Sequence, residues 1–260
     1  MKLSIVIPVY NEETSIERLL DKISRLKLID NIEKEILVVN DCSTDSTEEI
    51  VKQYISDHKE GLIKYFKHEK NLGKGGSVKT GIMHASGDLL IIQDADLEYD
   101  PHDINLIIDK FKDHSVNVVY GSRMLKERSL KRSGFFTGKH PDAYLFAYIG
   151  NLVITGLINL IHSENYTDIF TCYKCFKTEF IRSYHIDNNN FNWEPEITIK
   201  LSQNNITIQE VPIYYYPRKL KKGKKIKAID GFRAIACILK YSFFKNNPRF
   251  KTFLKTGKLI

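Results

Sequence analysis

The sequence predicts an α/β layer fold around a mostly parallel sheet, and three observations carry that prediction. Strand-like and helix-like stretches alternate four times within the first hundred residues. The opening stretch KLSIVIPVY is a continuous β-branched and apolar run, which marks a strand buried on both faces. Polar and acidic residues gather where such strands end, at 8–12, 41–45 and 94–98. In open α/β sheets, ligands bind beyond the carboxyl ends of the strands.

Each element has its own local signal. After the first strand, TSIERLLDKISRL places Ile16, Leu19, Leu20, Ile23 and Leu26 at helical spacing, with Thr14 and Glu17 as a capping box. KEILVVND is the second strand, and DSTEEIVKQYI the second helix with Asp45 as its N-cap. LIKYFKH, a glycine-rich turn, a helix around SVKTGIMHA and the strand GDLLIIQD continue the alternation. NVVYGSR reads as a short strand, and 124–142 as a long, basic, glycine-containing loop. TCYKCF and ITIQEVPIYYY return to strand character on either side of the helix EPEITIKLSQ.

Charge is unevenly spread. The net charge is +7, yet residues 215–260 hold 14 Lys and Arg against one acid, Asp230. The other 214 residues hold 25 basic and 31 acidic side chains. Such a tail suits an anionic partner. No aromatic-studded RNA-binding motif accompanies it, which points away from nucleic acid. The four cysteines form no disulfide framework, no signal peptide precedes the first strand, and a reducing, cytoplasmic context is expected. Residues 143–163 are free of charge, but Tyr144, Tyr148, Asn151, Thr155, Asn159 and His162 draw a polar stripe at helical spacing. That pattern suits a helix at an interface or packed on its own domain better than a membrane span. The segment 226–245 gathers Ile229, Phe232, Ala236, Leu239 and Phe243 among basic residues.

Three loop chemistries could hold a nucleotide. The first strand ends in PVYNE, without the glycines of a dinucleotide fingerprint. GKGGSVKT (73–80) departs from a P-loop because Val78 replaces the last glycine; with Ile82 and Ala85 it belongs to a packed helical face. The acids remain. Asp94 and Asp96 close a buried strand and share one side if the chain stays extended, with Glu98 and Asp100 following. Like charges so close repel unless a cation sits among them, and such a pair suits a divalent ion that also binds a diphosphate.

SIVIPVYNEE, LVVNDCSTDST, NLGKGGSVKTG and GDLLIIQDADLEYDP, in this order, resemble the inverting family 2 glycosyltransferases of the GT-A fold. YGSR, YTDIFTCYK, FNWEPEITIKL, EVPIYYYPR and GKKIKAIDGFRAI resemble the branch of the dolichyl-phosphate mannose and glucose synthases. The resemblance covers roughly residues 2–240. It implies a glycosyltransferase domain over 1–216, with a donor half at 1–120 and an acceptor half at 121–216, then a basic loop and amphipathic tail over 217–260. It implies transfer from a UDP- or GDP-sugar to a polyprenyl phosphate, peripherally on the cytoplasmic face of a membrane, with Mn2+ or Mg2+. Pro8, Tyr10, Glu12 and Asp41 would line the nucleoside pocket. Asp94 and Asp96 would hold metal and diphosphate, with Glu98 as a third ligand. Arg123 would face a phosphate, Asp168 would lie near the reacting centre, and Arg218 with Lys225 would close over the diphosphate. The mannose synthases carry a further arginine after the GSR segment; here Lys126, Arg128, Lys131 or Arg132 would replace it. A phosphate acceptor is already ionised, whereas a saccharide hydroxyl needs a carboxylate base, for which Asp168, Glu194 and Glu196 are the candidates. The alternatives are thus a family 2 enzyme acting on a saccharide hydroxyl, or a non-catalytic scaffold that binds anionic lipid.

Overall fold

The computed structural model describes residues 1–58, 61–129, 141–217 and 228–245. Strands β1 (Lys2–Val9), β2 (Glu33–Asn40), β3 (Ile63–Lys67) and β4 (Leu89–Ile92) lie parallel in the order β3-β2-β1-β4. The sheet continues through β6 (Lys174–Lys177) and β5 (Val118–Ser122) to β7 (Gln209–Pro212), making seven strands. Only β6 runs against its neighbours, pairing antiparallel with both β4 and β5. The mostly parallel sheet flanked by helices agrees with the sequence prediction.

Burial explains the strand composition. Leu3, Ile5, Val6 and Ile7 of β1, and Leu89 to Ile92 of β4, are all buried. Helix α1 (Ile16–Arg25) turns Ile16, Leu19, Leu20 and Ile23 into the core, α2 (Thr47–Asp57) buries Val51, and α3 (Lys74–His84) buries Val78 and Ile82. Helix α3 approaches β1 so closely that a Cβ at Gly81 would stand 2.2 Å from Val6 Cγ1. The remaining α-helices among the described residues are α4 (Ile104–Ile108), α5 (Arg123–Ser129), α6 (Pro141–His162), α7 (Thr178–Arg182), α8 (Trp193–Gln203) and α9 (Ala228–Leu239).

Three local expectations need correction. The Thr14–Glu17 capping box does not form; α1 starts behind Ser15, whose hydroxyl donates to the Glu12 carboxylate at 2.7 Å. Residues 124–142 are not one loop, because α5 occupies the start and α6 the end. One cap of α5 is local and one comes from afar: Ser122 Oγ accepts from Leu125 N at 3.1 Å, and Asp168 accepts from Arg123 N at 3.1 Å. For α2, Ser46 holds the N-cap position, while the Asp45 carboxylate accepts from Thr47 N at 3.1 Å.

The amino ends of the central strands meet at a buried carboxylate. Glu35 accepts from Ser4 Oγ (2.6 Å), Ser86 N (2.6 Å), Ser86 Oγ (2.8 Å) and Lys64 Nζ (2.9 Å). Burial opposes its ionisation, but these donors outweigh burial and hold the carboxyl well below the usual glutamate range. The stability it contributes is therefore complete above about pH 4.5 and is lost as pH falls toward the depressed value. Glu35→Gln is expected to cost roughly 1–3 kcal/mol near neutral pH. Its unfolding midpoint should also fall less steeply than wild type between pH 5 and 3 in thermal melts followed by circular dichroism.

Candidate active site

The carboxyl ends of β1, β2 and β4 bring the three polar segments together. The first two are stitched to each other: Asn11 N donates to Ser43 Oγ at 3.0 Å, and Thr44 N to Asn11 Oδ1 at 2.8 Å. Pro8 is half-buried in β1, Tyr10 is exposed, and Glu12 is buried with its amide on Thr47 Oγ1 at 2.9 Å. Asp41 is also buried. It accepts from Leu72 N (2.8 Å), Gly73 N (2.7 Å) and His68 Nδ1 (2.7 Å), so its carboxylate shapes the loop that leads into α3.

The glycines of that loop serve close packing. Gly73 has φ +88°, and a Cβ on it would stand 2.6 Å from Asn189 O. A Cβ on Gly75 would stand 2.5 Å from Asn188 O, and Gly76 N donates to Asn189 O at 3.0 Å. The first turn of α3 is therefore covered by backbone from 188–190, which leaves no room there for the phosphate cradle of a P-loop.

Lys74, on that first turn, reaches both sides of the site. Its ammonium stands 2.9 Å from Asp94 Oδ1 and 3.1 Å from Glu194 Oε1 on α8. Burial disfavours the charge, but the two carboxylates overcome it and hold Lys74 well above the usual lysine range. The chain does not stay extended after Ile92 but turns through 95–97, with Leu97 at φ 63°. Strand alternation thus stops short of Asp94 and Asp96, and Asp96 Oδ1 accepts from Glu98 N at 3.2 Å. Glu98, the expected third metal ligand, is engaged within the protein. Its carboxylate accepts from the Tyr215 hydroxyl, and its carbonyl from Tyr216 N at 2.7 Å, because an isolated bridge between Tyr99 and Tyr215 draws the two segments together. Among the described residues no group of three His, Cys, Asp or Glu side chains forms a metal cage. Asp94 and Asp96 fit Mg2+ or Mn2+ all the same, since such ions take one or two carboxylates plus substrate phosphates. Lys74 already sets a cation against Asp94.

Arg123 and Asp168 form the second charged unit. Arg123 Nε donates to Asp168 Oδ2 at 2.7 Å and Nη2 to Oδ1 at 2.8 Å; Asn151 Nδ2 adds a bond to Oδ1 at 3.1 Å. Arg123 Nη2 also donates to Phe170 O at 3.1 Å, and its guanidinium lies 5.0 Å from the Tyr215 ring centroid. Asp168 is wholly buried and acts here as the counterion of Arg123. The other two base candidates are likewise engaged. Glu194 holds Lys74, and buried Glu196 binds Lys200 Nζ (2.5 Å), Asp187 N (2.6 Å) and Asn188 N (2.8 Å). Arg218 and Lys225 lie outside the described residues, as do Lys131 and Arg132, and nothing is assigned to the side chain of Arg128. Lys126 sets its ammonium 3.9 Å from the Tyr214 ring centroid.

From Asn151 onward the polar stripe of α6 faces inward. Asn151 binds Asp168, Thr155 Oγ1 donates to Asn151 Oδ1 at 3.2 Å, and His162 bonds Ser242 Oγ at 2.8 Å. The outer face leaves Ile149, Leu152, Val153 and Leu160 exposed. No helix among the described residues is long and apolar enough to cross a membrane. Sequence reasoning missed Lys74, whose one signal was its place beside the glycines that open a helix. It also missed Tyr215.

The profile of the family described as glycosyl transferase family 2 matches residues 4–170, which include β1, the acids after β4 and Asp168. The chain belongs to that family. Its family 2 relatives include a dolichyl-phosphate beta-glucosyltransferase of Dictyostelium discoideum, 28% identical over 81% of this chain and 65% of the relative. A dolichol-phosphate mannosyltransferase of Pyrococcus furiosus is 32% identical over 52% of this chain and 37% of the relative. The chain therefore spans about two thirds or less of the length of these two. Among solved structures, glucosyl-3-phosphoglycerate synthase from Mycobacterium tuberculosis in complex with UDP shares the fold. Its TM-score is 0.70 at 18% identity, over 95% of this chain and 82% of that one.

The glycine packing is testable. Gly75→Ala meets backbone atoms that cannot swing aside and is expected to destabilise by about 1–3 kcal/mol. Gly150→Ala, in α6 with nothing within 4 Å of the added Cβ, is expected to be neutral or to stabilise by up to about 1 kcal/mol. Urea unfolding of both variants checks the contrast.

Proposed function

We propose that this chain is a metal-dependent inverting glycosyltransferase that moves a sugar from a UDP- or GDP-sugar to a polyprenyl phosphate at a membrane surface. The observation that carries this reading is the commitment of the three base candidates to cations or amides of the protein. A saccharide hydroxyl must lose a proton to a carboxylate, whereas a phosphate acceptor arrives ionised and asks only to be bound and aimed. Arg123, held through Nε and Nη2 by Asp168 and Phe170, is preorganised to face that phosphate, since those bonds fix where the rest of its guanidinium points.

The remaining roles follow from position. Tyr10 and the segment at Pro8 and Glu12 would flank the nucleoside, and Asp41 would act through the loop that it shapes. Asp94 and Asp96 would hold Mn2+ or Mg2+, which would supply positive charge to the departing diphosphate. Lys74 would keep Asp94 oriented, and Arg218 with Lys225 would add charge over the diphosphate. Relatives named for dolichyl phosphate support the lipid acceptor. Two helix faces support action at a membrane. Alongside the outer face of α6, α9 and its continuation expose Phe232, Leu239 and Phe243, while Ala234, Cys237 and Ile238 pack inward. Apolar faces beside a basic tail suit an anionic leaflet, at roughly 1 kcal/mol for each basic side chain near it.

The test is donor screening by calorimetry with Mn2+, followed by product analysis with and without a polyprenyl phosphate. Asp96→Ala is expected to keep the circular dichroism of wild type while losing metal-dependent donor binding and about 100-fold or more in turnover. Full activity of that variant, or of wild type in excess chelator, would contradict the metal role. Transfer to a soluble saccharide with none to lipid phosphate would contradict the acceptor.

A further inference from the structure

Lys174 has no place in the roles above, yet it is a wholly buried lysine in the middle of the sheet. It stands on β6, between β4 and β5, in register with Tyr120. A methionine would fill such a position without the cost of removing an ammonium from water. The ammonium is instead spent on backbone. Nζ donates to Ile169 O at 2.8 Å and to Thr171 O at 2.5 Å. It also faces the rings of Tyr120 (4.8 Å) and Trp193 (5.7 Å), which attract a cation.

The neighbours of those two carbonyls do something different. Asp168, through its carboxylate, and Phe170, through its carbonyl, hold Arg123. Alternate residues of one irregular segment thus face two cations: 168 and 170 grip Arg123, while 169 and 171 rest on Lys174. We infer that Lys174 is a positioning residue for transfer, fixing the 168–171 backbone from beneath and thereby the guanidinium of Arg123. Burial lowers the affinity of Lys174 for its proton to a pKa of about 8, Glu194 of α8 and Asp168 favouring the charge and Lys74 of α3 opposing it. The side chain is therefore mostly charged at neutral pH. Its link to transfer rests on the function proposed above, but its effect on the segment does not.

The experiment compares Lys174→Met and Lys174→Arg in the full chain. Hydrogen exchange reads the backbone, and steady-state kinetics read turnover and the donor KM separately. Lys174→Met is expected to unfold cooperatively and to keep the donor KM within about threefold, as Lys174 touches no part of the donor pocket. Amides at 168–172 should exchange about tenfold faster in it, and kcat should fall about 100-fold, the scale of a misplaced catalytic group. Lys174→Arg, which keeps charge and donors, should recover the protection and most of the rate. Should Lys174→Met not fold, Lys174→Gln is measured in the same way. Wild-type exchange at 168–172 in an uncharged variant overturns the inference, as does a loss carried by KM alone. If wild type transfers no sugar to any polyprenyl phosphate, the proposed function fails, and the exchange data still decide the role of Lys174.

Discussion

The site depends on charge neutralisation inside the protein, above all on the Lys74 ammonium between Asp94 and Glu194. Parallel strands deliver their ends to one edge, and this sequence places acids there, so the fold concentrates negative charge where water is partly excluded. Lys74 relieves it across three separate pieces of chain: the start of α3, the turn after β4 and the start of α8. Its own position requires the glycines at 73 and 75, because only without a Cβ can the first turn of α3 lie against the 188–190 backbone. Breaking the bridge would strip a buried carboxylate of its cation, which costs more than the pair contributes when intact.

The second unit repeats the logic with a different outcome. Asp168 carries the negative charge, Arg123 answers it in a two-pronged bond, and Asn151 from α6 completes the set. With both its oxygens engaged in this way, Asp168 fixes the direction in which Arg123 points. Glu210 extends the arrangement outward by accepting the amides of Thr167 and Asp168, while its own burial raises its pKa. The segment from 167 to 171 is consequently held from three sides by side chains that reach its backbone.

What the sequence made legible follows from how local each signal is. The β-branched runs of β1 and β2, the packed face of α3 at Val78 and Ile82, and the acids after β4 were readable because neighbours in sequence determine them. The contact between Glu98 and Tyr215 was not readable, because Tyr215 lies 117 residues away and is brought near by pairing with Tyr99. Lys74 escaped notice for the same reason, since Glu194 is 120 residues distant. Helix α5 hid in part because Asp168, 45 residues away, caps its first residue, although Ser122 beside it is an ordinary local cap. In α6 the periodicity was plain but its direction was not: spacing shows which residues share a face, whereas Asp168 and Ser242 decide that the polar face turns inward. Glu194 and Glu196 read equally well as acids at a helix start, and only their lysine partners separate them from a catalytic base.

The central claim is that the carboxylates of this site hold cations and do not take protons. The most direct measurement is the pH–rate profile of sugar transfer to a polyprenyl phosphate, at saturating donor, for wild type and Asp168→Asn. The account predicts one ascending limb near pH 6, the second ionisation of a phosphate, at the same position in both proteins although Asp168→Asn turns over far more slowly. An ascending limb in wild type that disappears in Asp168→Asn, with donor binding intact, would show that Asp168 is the base and would contradict the account.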